Sequence, residues 1–599
     1  MYPTLYFEIP ENFKNIDISN IKKKINLKIK KFKRDIKIVK YKKDIFVIIG
    51  RPIIKDKVNF VDVPKYFVKK EKFKNINGEF LIIRFNEKKK CFEIINDRFA
   101  SIHLFYFIYK KKFYGSVNYL DIFKKLNELK ILKIKHYTFY EFLIFQRLFG
   151  TKTYDKRSEF LGSSFYIKIE KGKLYKKRYW WPSRIKSFKN YKYNSKILSD
   201  LIDQSIKRKF SGKEDKIGFF LSGGVDSRSI LYKLSKIKKR ITAFTFAPYL
   251  NNEAKVAKEV SSLLGVKYNL VKFGDNPYKN LITEMSSLTS LLYEFDHSLF
   301  LNLNKKQSKN YNLSSSGFGV DSFFQGLMIP FNQVKIFGLP THFYEIDKEI
   351  YKTRNLSKYF IKTFAYRLKT NHYKDIIFQK YIKDLEKKTD LEFKKLYRLG
   401  KRLFNDNIDI YNFMCLNNPS RHFTYNNALS MNQRIKNTCI MYDNDLLDYY
   451  YTLPGKKLAF KKVYKSYYKN IPEQLTRIKT GNDNLSYDLS AFTKTIMWYY
   501  DKILTRLKIR KNTIFWNPSY ERTWPDRGHI VIKNDFKKYI NKMLSDGYIF
   551  KVKFIDKIKL SNFIKNTYEN PNWHNASVIY RLISINEFLK EVFKKDKIK

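Results

Sequence analysis

The chain has few cysteines and few histidines, and neither residue type is clustered. Cys91, Cys415 and Cys439 stand far apart in 599 residues, and no Cys-x-x-Cys pair or group of the eight histidines accompanies them. A disulfide framework or a zinc site would need such a grouping. The sequence therefore predicts neither, and we expect three buried thiols.

Long apolar runs are also missing. A transmembrane helix needs about 18 to 20 consecutive apolar residues, and no segment approaches that length. The first residues, Met1 to Thr4, do not open a basic stretch followed by an apolar core, as a secretory signal would. We therefore expect no membrane insertion and a cytoplasmic location.

Acidic residues are scarce relative to basic ones. The chain has 56 Asp and Glu against 120 Lys and Arg, which gives a net charge of +64. Such an excess attracts nucleic acid and anionic membranes. However, the basic residues are spread along the chain together with Ile, Asn, Tyr and Phe, as drift toward AT-rich codons would also produce. Basic residues spread along the chain indicate nucleic-acid binding less strongly than a clustered basic patch does. Nucleic acid is therefore a possible partner but not the favoured one.

The first 180 residues have the pattern of a β-sheet. Short runs rich in Ile, Phe, Val and Tyr alternate with polar breaks, which is typical of strands. The predicted strands are 36–39, 45–50, 79–85, 91–95, 103–109 and 112–117. Helical spacing follows only after Tyr119 and across 139–149. We predict an antiparallel, sheet-rich first domain.

A Lys, Ser, Asn and Tyr-rich stretch after Pro182 marks a change to alternating helices and strands. The predicted order is helix 195–209, strand 216–221, a glycine loop, a helix to 235, strand 241–247, helix 252–264 and strand 267–271. This order predicts a doubly wound parallel sheet of the α/β class, whose ligands gather at the carboxyl ends of the strands. Beyond Pro330 the pattern is mainly helical. We therefore divide the chain into domains 1–185 and 195–599.

The glycine loop after the predicted strand 216–221 carries the strongest functional signal. Two glycines let the backbone approach an anion, and the amides that open the following helix, predicted to begin near Arg228, point at it. Serine hydroxyls can donate to phosphate, and the aspartate can hold Mg²⁺. A Walker loop is excluded because no lysine lies in the loop. The predicted nucleotide-binding residues are Leu221, Ser222, Gly223, Gly224, Val225, Asp226 and Ser227.

This loop resembles the PP-loop of ATP pyrophosphatases, which cleave ATP between the α and β phosphates and adenylate a substrate. Other segments resemble the asparagine synthetase group of these enzymes, to which β-lactam synthetases and lasso-peptide cyclases are related. These segments are the helix from Asn252 to Gly265, the second motif Ser315 to Gly326, Met441 to Leu446, Lys461 to Tyr464, and Arg477 to Gly481. The resemblance implies a PP-loop domain with a mainly helical C-terminal part.

The first domain resembles the class II glutamine amidotransferase domain that precedes the synthetase domain in that family. The similar segments are Gly78 to Phe80, Asn96 to Ala100, Leu104 to Tyr106, Gly115 to Val117 and Arg178 to Trp180. The resemblance implies an Ntn-type α+β sandwich. A glutaminase of this class uses an N-terminal Cys, whereas this chain has Tyr2. We therefore expect no glutamine hydrolysis and a degenerate domain that serves as a structural or docking unit.

The resemblance also implies roles for individual residues. Asp226 and Asp321 would hold Mg²⁺, while Ser316 and Gly317 would lie against the adenosine. A lysine would stabilise charge on the phosphates or the tetrahedral intermediate. Lys462 is the favoured candidate for this role and Lys479 the less favoured one.

The second motif departs from the family at two positions. Phe318 stands where asparagine synthetases place a Glu and β-lactam synthetases a Tyr, and Ser322 replaces an acid. Adenylation is expected to be intact, whereas the nucleophile is left open. Glu294 and Asp296 precede the motif and could contact the substrate or supply the missing base, but they could equally be ion-paired acids. His297 beside them is predicted to be structural.

The predicted function is that of an ATP-dependent amidoligase. With ATP and Mg²⁺ it would adenylate a small-molecule or peptide carboxylate, release pyrophosphate and transfer the acyl group to an amine. Two alternatives remain. A PP-loop tRNA-modifying enzyme would account for the net charge, and a non-catalytic nucleotide-binding relative would account for the missing Cys and motif acid. A homodimer is also left open.

Overall fold

The computed structural model describes residues 4–11, 18–30, 34–69, 72–182, 195–237, 240–274, 276–364, 372–481, 484–509 and 526–594. Tyr2 and the stretch 183–194, which contains the predicted domain boundary, lie outside the described residues.

Two antiparallel sheets make up most of the first 180 residues. Their strands are β1 (Thr4–Ile9), β2 (Lys28–Lys30), β3 (Ile36–Tyr41), β4 (Asp44–Ile54), β5 (Lys57–Val58), β6 (Asn77–Asn86), β7 (Cys91–Asn96), β8 (Phe105–Tyr109), β9 (Lys112–Ser116), β10 (Glu159–Phe160), β11 (Phe165–Glu170) and β12 (Lys173–Arg178). One sheet has the order β10-β8-β9-β1-β2 and the other β12-β11-β7-β6-β4-β3, with β5 beside β4. Apolar side chains of both sheets, such as Phe7 and Val47, meet in one core. The predicted antiparallel sandwich is confirmed.

The helices of this first part pack into the rest of the chain. They are α1 (Ile21–Lys24), α2 (Val63–Val68), α3 (Tyr119–Glu128) and α4 (His136–Phe145). The rings of Tyr119 and Phe123 in α3 lie 5.8 and 5.0 Å from the ring of Phe588, near the C-terminus. The two predicted domains therefore share one continuous apolar core.

A four-stranded parallel sheet follows and confirms the predicted α/β unit. It contains β13 (Lys216–Phe220), β14 (Arg240–Ala247), β15 (Lys267–Lys272) and β16 (Leu313–Ser316), with helices α5 (Ser195–Lys209), α6 (Val225–Ser235) and α7 (Asn252–Leu263) in the same region. The order β15-β14-β13-β16 places the carboxyl ends of β13 and β16 side by side. Sequence patterns did not predict β16, because a four-residue strand of Leu and three serines has no alternation to detect.

The remainder is mainly helical, as predicted. The helices are α8 (Ile282–Thr289), α9 (Lys305–Ser308), α10 (Val320–Phe324), α11 (Glu349–Lys352), α12 (Leu356–Phe364), α13 (Gln379–Lys401), α14 (Asn407–Leu416), α15 (Phe423–Met431), α16 (Asn444–Thr452), α17 (Gly455–Leu458), α18 (Lys462–Tyr468), α19 (Glu473–Arg477), α20 (Ala491–Arg506), α21 (Arg527–Val531), α22 (Asn534–Asp546), α23 (Lys557–Glu569) and α24 (Trp573–Phe593). A 3₁₀ segment, Phe295–Asn302, follows α8.

One β-hairpin interrupts this helical part and was not predicted. It consists of β17 (Phe331–Ile336) and β18 (Leu339–Ile346). Phe337 and Gly338 at its tip have φ values of 49° and 76°, the left-handed conformations that a tight two-residue hairpin turn requires.

The structure also bears on the expectations of no membrane-spanning segment and of three buried thiols. In the described part of the chain, no helix has both the length and the apolar composition to cross a bilayer. Cys91, Cys415 and Cys439 are all buried free thiols, as expected.

Candidate functional site

The glycine loop lies between β13 and α6. The helix begins at Val225, three residues earlier than expected, so Asp226 and Ser227 stand in its first turn. The Ser227 hydroxyl lies 3.0 Å from the Ser222 hydroxyl and accepts a hydrogen bond of 3.1 Å from the Ser222 amide. These contacts fold the loop over the helix N-terminus, where backbone amides and the helix dipole favour an anion.

The backbone of a distant segment supports the loop from one side. The Gly481 amide donates to the Gly223 carbonyl at 2.9 Å. A Cβ atom on Gly223 would lie 2.9 Å from the Gly481 Cα, so the two chains come this close because neither has a side chain. Glu253 at the start of α7 accepts from the Gly223 amide at 3.3 Å. Sequence reasoning gave neither Gly481 nor Glu253 an individual role.

The second motif is in direct contact with the loop. Ser316, the last residue of β16, stands opposite Phe220 in the parallel register. The next residue, Gly317, is so close to α6 that a Cβ atom on it would lie 2.7 Å from both the Cα and the amide nitrogen of Ser227. The structure thus places Ser316 and Gly317 beside the loop, and their expected contact with the adenosine stays a prediction.

This contact leads to a testable prediction for Gly317. Replacing Gly317 with Ala should displace the second motif from Ser227 and weaken ATP binding by about tenfold, because a shift of even a fraction of an ångström misplaces a preorganised site. Isothermal titration calorimetry with ATP and Mg²⁺ measures this. Gly274→Ala is the matched control because a Cβ atom on Gly274 would have nothing within 4 Å, and it should bind as the wild type does. Equal binding by Gly317→Ala would contradict the prediction.

Asp226 and Asp321 act on each other electrostatically. Burial and then the negative charge of Asp321 raise the pKa of Asp226 from its ordinary 3.8 to about 7, although Lys461, Tyr464 and Gln325 act in the opposite direction. The Gln325 amide donates a hydrogen bond to the Asp226 carboxylate. The Tyr464 hydroxyl, which lies 3.2 Å from the Ser229 hydroxyl, also acts to lower the pKa of Asp226. Two aspartates that are about 100 positions apart in the sequence therefore converge at the ends of β13 and β16.

Lys461, rather than Lys462, is the lysine whose charge acts on Asp226. Phe460 and Lys461 have φ values of 56° and 59°, a left-handed conformation that non-glycine residues adopt only at a cost of about 1–3 kcal/mol each. This turn starts α18 and separates the two lysines. The Lys462 side chain is exposed, and so is that of Lys479.

Arg228 joins the loop helix to the segment that contains Lys479. Its guanidinium is fully buried and donates to the carbonyls of Leu475, Ile478 and Lys479 at 2.9, 2.7 and 3.1 Å. The backbone of Lys479 is thus part of the support of the site, although its side chain points to solvent. The sequence indicated these contacts only by the basic residue, Arg228, that directly follows Ser227.

Phe318 is part of an aromatic wall beside the second motif, which the rings of Phe318, Phe220 and Phe300 form. Its ring lies 5.8 Å from Phe220 and 5.9 Å from Phe300. The position that holds an acid in the resembled enzymes is therefore occupied by one member of an aromatic cluster. No proton transfer by residue 318 is available.

Glu294 and Asp296 are brought into a buried ion-pair cluster. Glu294 pairs with Arg527 and Arg581 at 2.5 Å each, and Asp296 pairs with Arg527 at 2.7 Å. Burial raises the pKa of Glu294, but the two guanidinium charges outweigh it and hold that pKa below its ordinary value. This geometry favours the ion-paired alternative over a general base. Their oxygens and His297 lie within 4.8 Å of one another, but arginines already neutralise the acids.

Comparison with known families identifies the region that contains this site. A family model described as asparagine synthase matches residues 198–476, which include the glycine loop, the second motif and Lys461. Residues 198–476 belong to the asparagine synthase family. The family is one of ATP-dependent amidoligases, which form carbon–nitrogen bonds, and the match covers a little less than half of the chain. A search of curated proteins gave no match to the chain.

The asparagine synthase domain offers donors that suit ATP and Mg²⁺. The carboxylate oxygens of Asp226 and Asp321 are ligands that Mg²⁺ prefers, and a divalent cation between them would relieve the repulsion that raises the pKa of Asp226. The hydroxyls of Ser222 and Ser227 and the amides of α6 suit phosphate oxygens. The residues at the site fit both groups.

Three contributors to the asparagine synthase site were missed by sequence reasoning: Gln325, Lys461 and Tyr464. Gln325 stands where the resembled motif has the first of two glycines, and this departure was the signal that could have revealed it. Lys461 and Tyr464 are three residues apart at the start of α18, so both can face one point. The sequence hypothesis covered the segment that contains Lys461 and favoured its neighbour, Lys462, which stays a prediction.

Proposed function

We propose that the protein adenylates a carboxylate with ATP, releases pyrophosphate and passes the acyl group to an amine. The observation that carries this proposal is the convergence of Asp226 and Asp321 beside the glycine loop. A site for ATP cleavage between the α and β phosphates needs carboxylates for Mg²⁺ next to amides for phosphate, and these elements coincide here. The predicted cytoplasmic location stays part of this proposal.

Each group at the site has a task in such a reaction. The amides of α6 and the hydroxyls of Ser222 and Ser227 would bind the phosphates of ATP. Asp226 and Asp321 would hold Mg²⁺, which supplies charge neutralisation for the phosphates. Lys461 would stabilise the negative charge that develops when pyrophosphate leaves, because it is the lysine whose charge acts on Asp226. Gln325 and Tyr464 would hold the Asp226 carboxylate in orientation.

The environment of Phe318 bears on the acyl acceptor. An aromatic wall cannot remove a proton from an ammonium ion. We therefore propose that the acceptor arrives as a neutral amine of an organic molecule or peptide, with its apolar part against Phe318, Phe220 and Phe300. This differs from ammonia transfer in asparagine synthesis.

The first domain would act as a structural support rather than a glutaminase. Glu79, which is buried, accepts hydrogen bonds from Lys209 at 3.1 Å, from Thr438 at 2.8 Å and from the Cys439 amide at 2.8 Å. Burial raises the pKa of Glu79, but the charges of Lys209 and Arg34 outweigh it and hold that pKa below its ordinary value. A polar group committed to these contacts holds the two parts of the chain together.

Exchange of labelled pyrophosphate into ATP tests the proposed function directly. Exchange should depend on both Mg²⁺ and a carboxylate, and glutamine should not replace the amine in product formation. A panel of amino acids, short peptides and other organic acids would be tried with the full chain. ATP binding without exchange for any carboxylate would instead support a non-catalytic relative. Retention of tRNA with modification of its bases would support the tRNA-modifying alternative.

A pair of lysine variants makes the assignment of the cation testable. Lys461→Met should lower pyrophosphate exchange by roughly a hundredfold, because it removes a charge aimed at the reacting phosphates. Lys462→Met is the matched control, since its exposed side chain should contribute less than a factor of two. A larger loss of exchange in Lys462→Met than in Lys461→Met would instead support the sequence hypothesis that Lys462 is the cation.

A further inference from the structure

An unusual concentration of exposed apolar side chains lies on two adjacent elements, α20 and the hairpin β17–β18. Together with Leu507 and Ile509, which directly follow α20, they contribute eleven of the 27 large apolar residues that are exposed in the described part of the chain, although they form a small share of it. Scattered exposed apolar residues are normal, but a contiguous group marks a binding surface. The eleven residues are Ile336, Phe337, Leu339, Phe343, Tyr344, Phe492, Ile496, Tyr500, Ile503, Leu507 and Ile509.

Helix α20 presents its apolar residues on one outward face. Phe492, Ile496, Tyr500, Ile503 and Leu507 recur at spacings of three or four, so they fall within an arc of roughly 80° around the helix axis. Such a stripe normally packs on a protein core. Here the helix contacts the hairpin through other residues, and the stripe faces solvent.

The hairpin is fixed to the face of α20 that lies next to the apolar stripe. The His342 amide donates to the Thr495 hydroxyl at 2.9 Å, and the Tyr499 hydroxyl donates to the Pro340 carbonyl at 2.8 Å. The hairpin tip therefore stands beside the helix, with the Phe337 side chain 99% exposed. Transfer of this phenylalanine side chain from water into an apolar phase would be favourable by about 1.5–3 kcal/mol.

Charge on these elements is strongly one-sided. Lys494, Lys502 and Arg506 lie on α20, Lys508 follows it, and Lys335 lies on β17. The acids are few: Asp501 is 2% exposed, and Glu345 at the base of the hairpin pairs with Lys348 at 3.3 Å. An apolar stripe beside basic residues, with almost no exposed acid, is the pattern of helices that lie in the interface of an anionic bilayer.

We propose that α20 and the hairpin β17–β18 dock the protein on an anionic membrane surface. The apolar stripe and Phe337 would enter the boundary between headgroups and acyl chains, and the basic residues would contact lipid phosphates. A second copy of the chain fits this surface less well, because a twofold contact would bring the two basic rims together. The proposal does not depend on the proposed enzymatic function.

Vesicle co-sedimentation of the full chain tests the proposal. The chain should bind vesicles of phosphatidylcholine mixed with phosphatidylglycerol and should not bind phosphatidylcholine alone. Phe337→Ser combined with Ile503→Gln should weaken binding by at least about tenfold, because both side chains would lie in the interface. Arg506→Gln combined with Lys508→Gln should weaken it by roughly thirtyfold, since each removes one charge near the lipid phosphates.

Matched controls separate this surface from general effects of charge and hydrophobicity. Ile558→Gln removes a 74% exposed apolar side chain on α23, and Lys383→Gln with Lys387→Gln removes two exposed charges on α13. These variants should bind as the wild type does. Equal losses in the controls, or no binding of the wild type to anionic vesicles, would overturn the proposal. A dimer that Phe337→Ser and Ile503→Gln dissociate, without vesicle binding, would overturn it in favour of a second copy.

Discussion

Asp226→Asn is expected to abolish the reaction while making the protein more stable. Pyrophosphate exchange should fall by roughly a thousandfold or more, because a carboxamide cannot supply the charge that binds Mg²⁺. The free energy of unfolding at pH 8 should rise by about 1–2 kcal/mol, because the substitution removes a buried charge that faces Asp321. Opposite changes in stability and activity are characteristic of a binding site and not of a structural residue.

The gain in stability has a defined pH window. The folded protein keeps a proton on Asp226 up to about pH 7, whereas an unfolded chain releases it near the ordinary 3.8. Wild-type stability therefore falls as the pH rises through this interval, and Asn at position 226 does not share that fall. Thermal unfolding at pH 8 should show the variant above the wild type, and at pH 5 most of the difference should be gone.

Two further variants test whether repulsion between Asp226 and Asp321 causes the gain in stability. Asp321→Asn should give the same combination of higher stability and lost activity. The double variant should be no more stable than either single variant, because each substitution already removes the repulsion between the two carboxylates. Asp200→Asn, on the exposed face of α5, is the control and should change neither quantity. Unchanged stability at pH 8 in both Asp226→Asn and Asp321→Asn would show that the two carboxylates do not interact.

The glycine loop could be predicted from the sequence because all its contacts are local. Ser222 and Ser227 are five residues apart, and a strand before them and a helix after them determine where their hydroxyls lie. The hypothesis that Ser316 and Gly317 belong to the same site came from the resemblance, since the short strand β16 has no pattern of its own. For both the glycine loop and the second motif, a short stretch of sequence is enough to predict where the residues lie.

The choice between Lys461 and Lys462 could not be made from the sequence. It depends on the left-handed conformation of Phe460 and Lys461, which residues of these types do not signal. The partners of Glu294 are equally hidden, because Arg581 is 287 residues away along the chain. The hairpin did leave a signal, Phe337-Gly338 between two short apolar-rich runs, but the helical pattern around it obscured that signal.

The cluster around Glu294 gives the second large expected effect, and it is one of stability. Glu294→Gln should lower the free energy of unfolding by about 3–5 kcal/mol, because it leaves the buried guanidinium of Arg581 without its counter-charge and leaves Arg527 with Asp296 alone. Arg581 and Glu294 are both fully buried, and Arg581 also donates to the Leu143 carbonyl of α4. The cluster therefore joins the C-terminal helix, the 3₁₀ segment and the first domain. Urea unfolding followed by circular dichroism measures the loss.

This experiment separates the ion-paired role of Glu294 from the catalytic one. If Glu294 were a general base, the variant would keep its stability and lose ATP-dependent amide formation. With the ion-paired role, activity should fall only in proportion to the folded fraction. Glu473→Gln, which breaks the exposed pair with Arg477, is the control and should cost less than about 0.5 kcal/mol.

A double variant completes the argument for the cluster. Glu294→Gln combined with Arg581→Met removes a carboxylate and one of its two guanidinium partners, so part of the lost stability should return. Partial recovery is expected because Arg527 keeps Asp296 as its partner at 2.7 Å. The 3₁₀ segment that the cluster holds also supplies Phe300 to the aromatic wall beside Phe318. Recovered stability should therefore restore the packing of that wall and, with it, the activity.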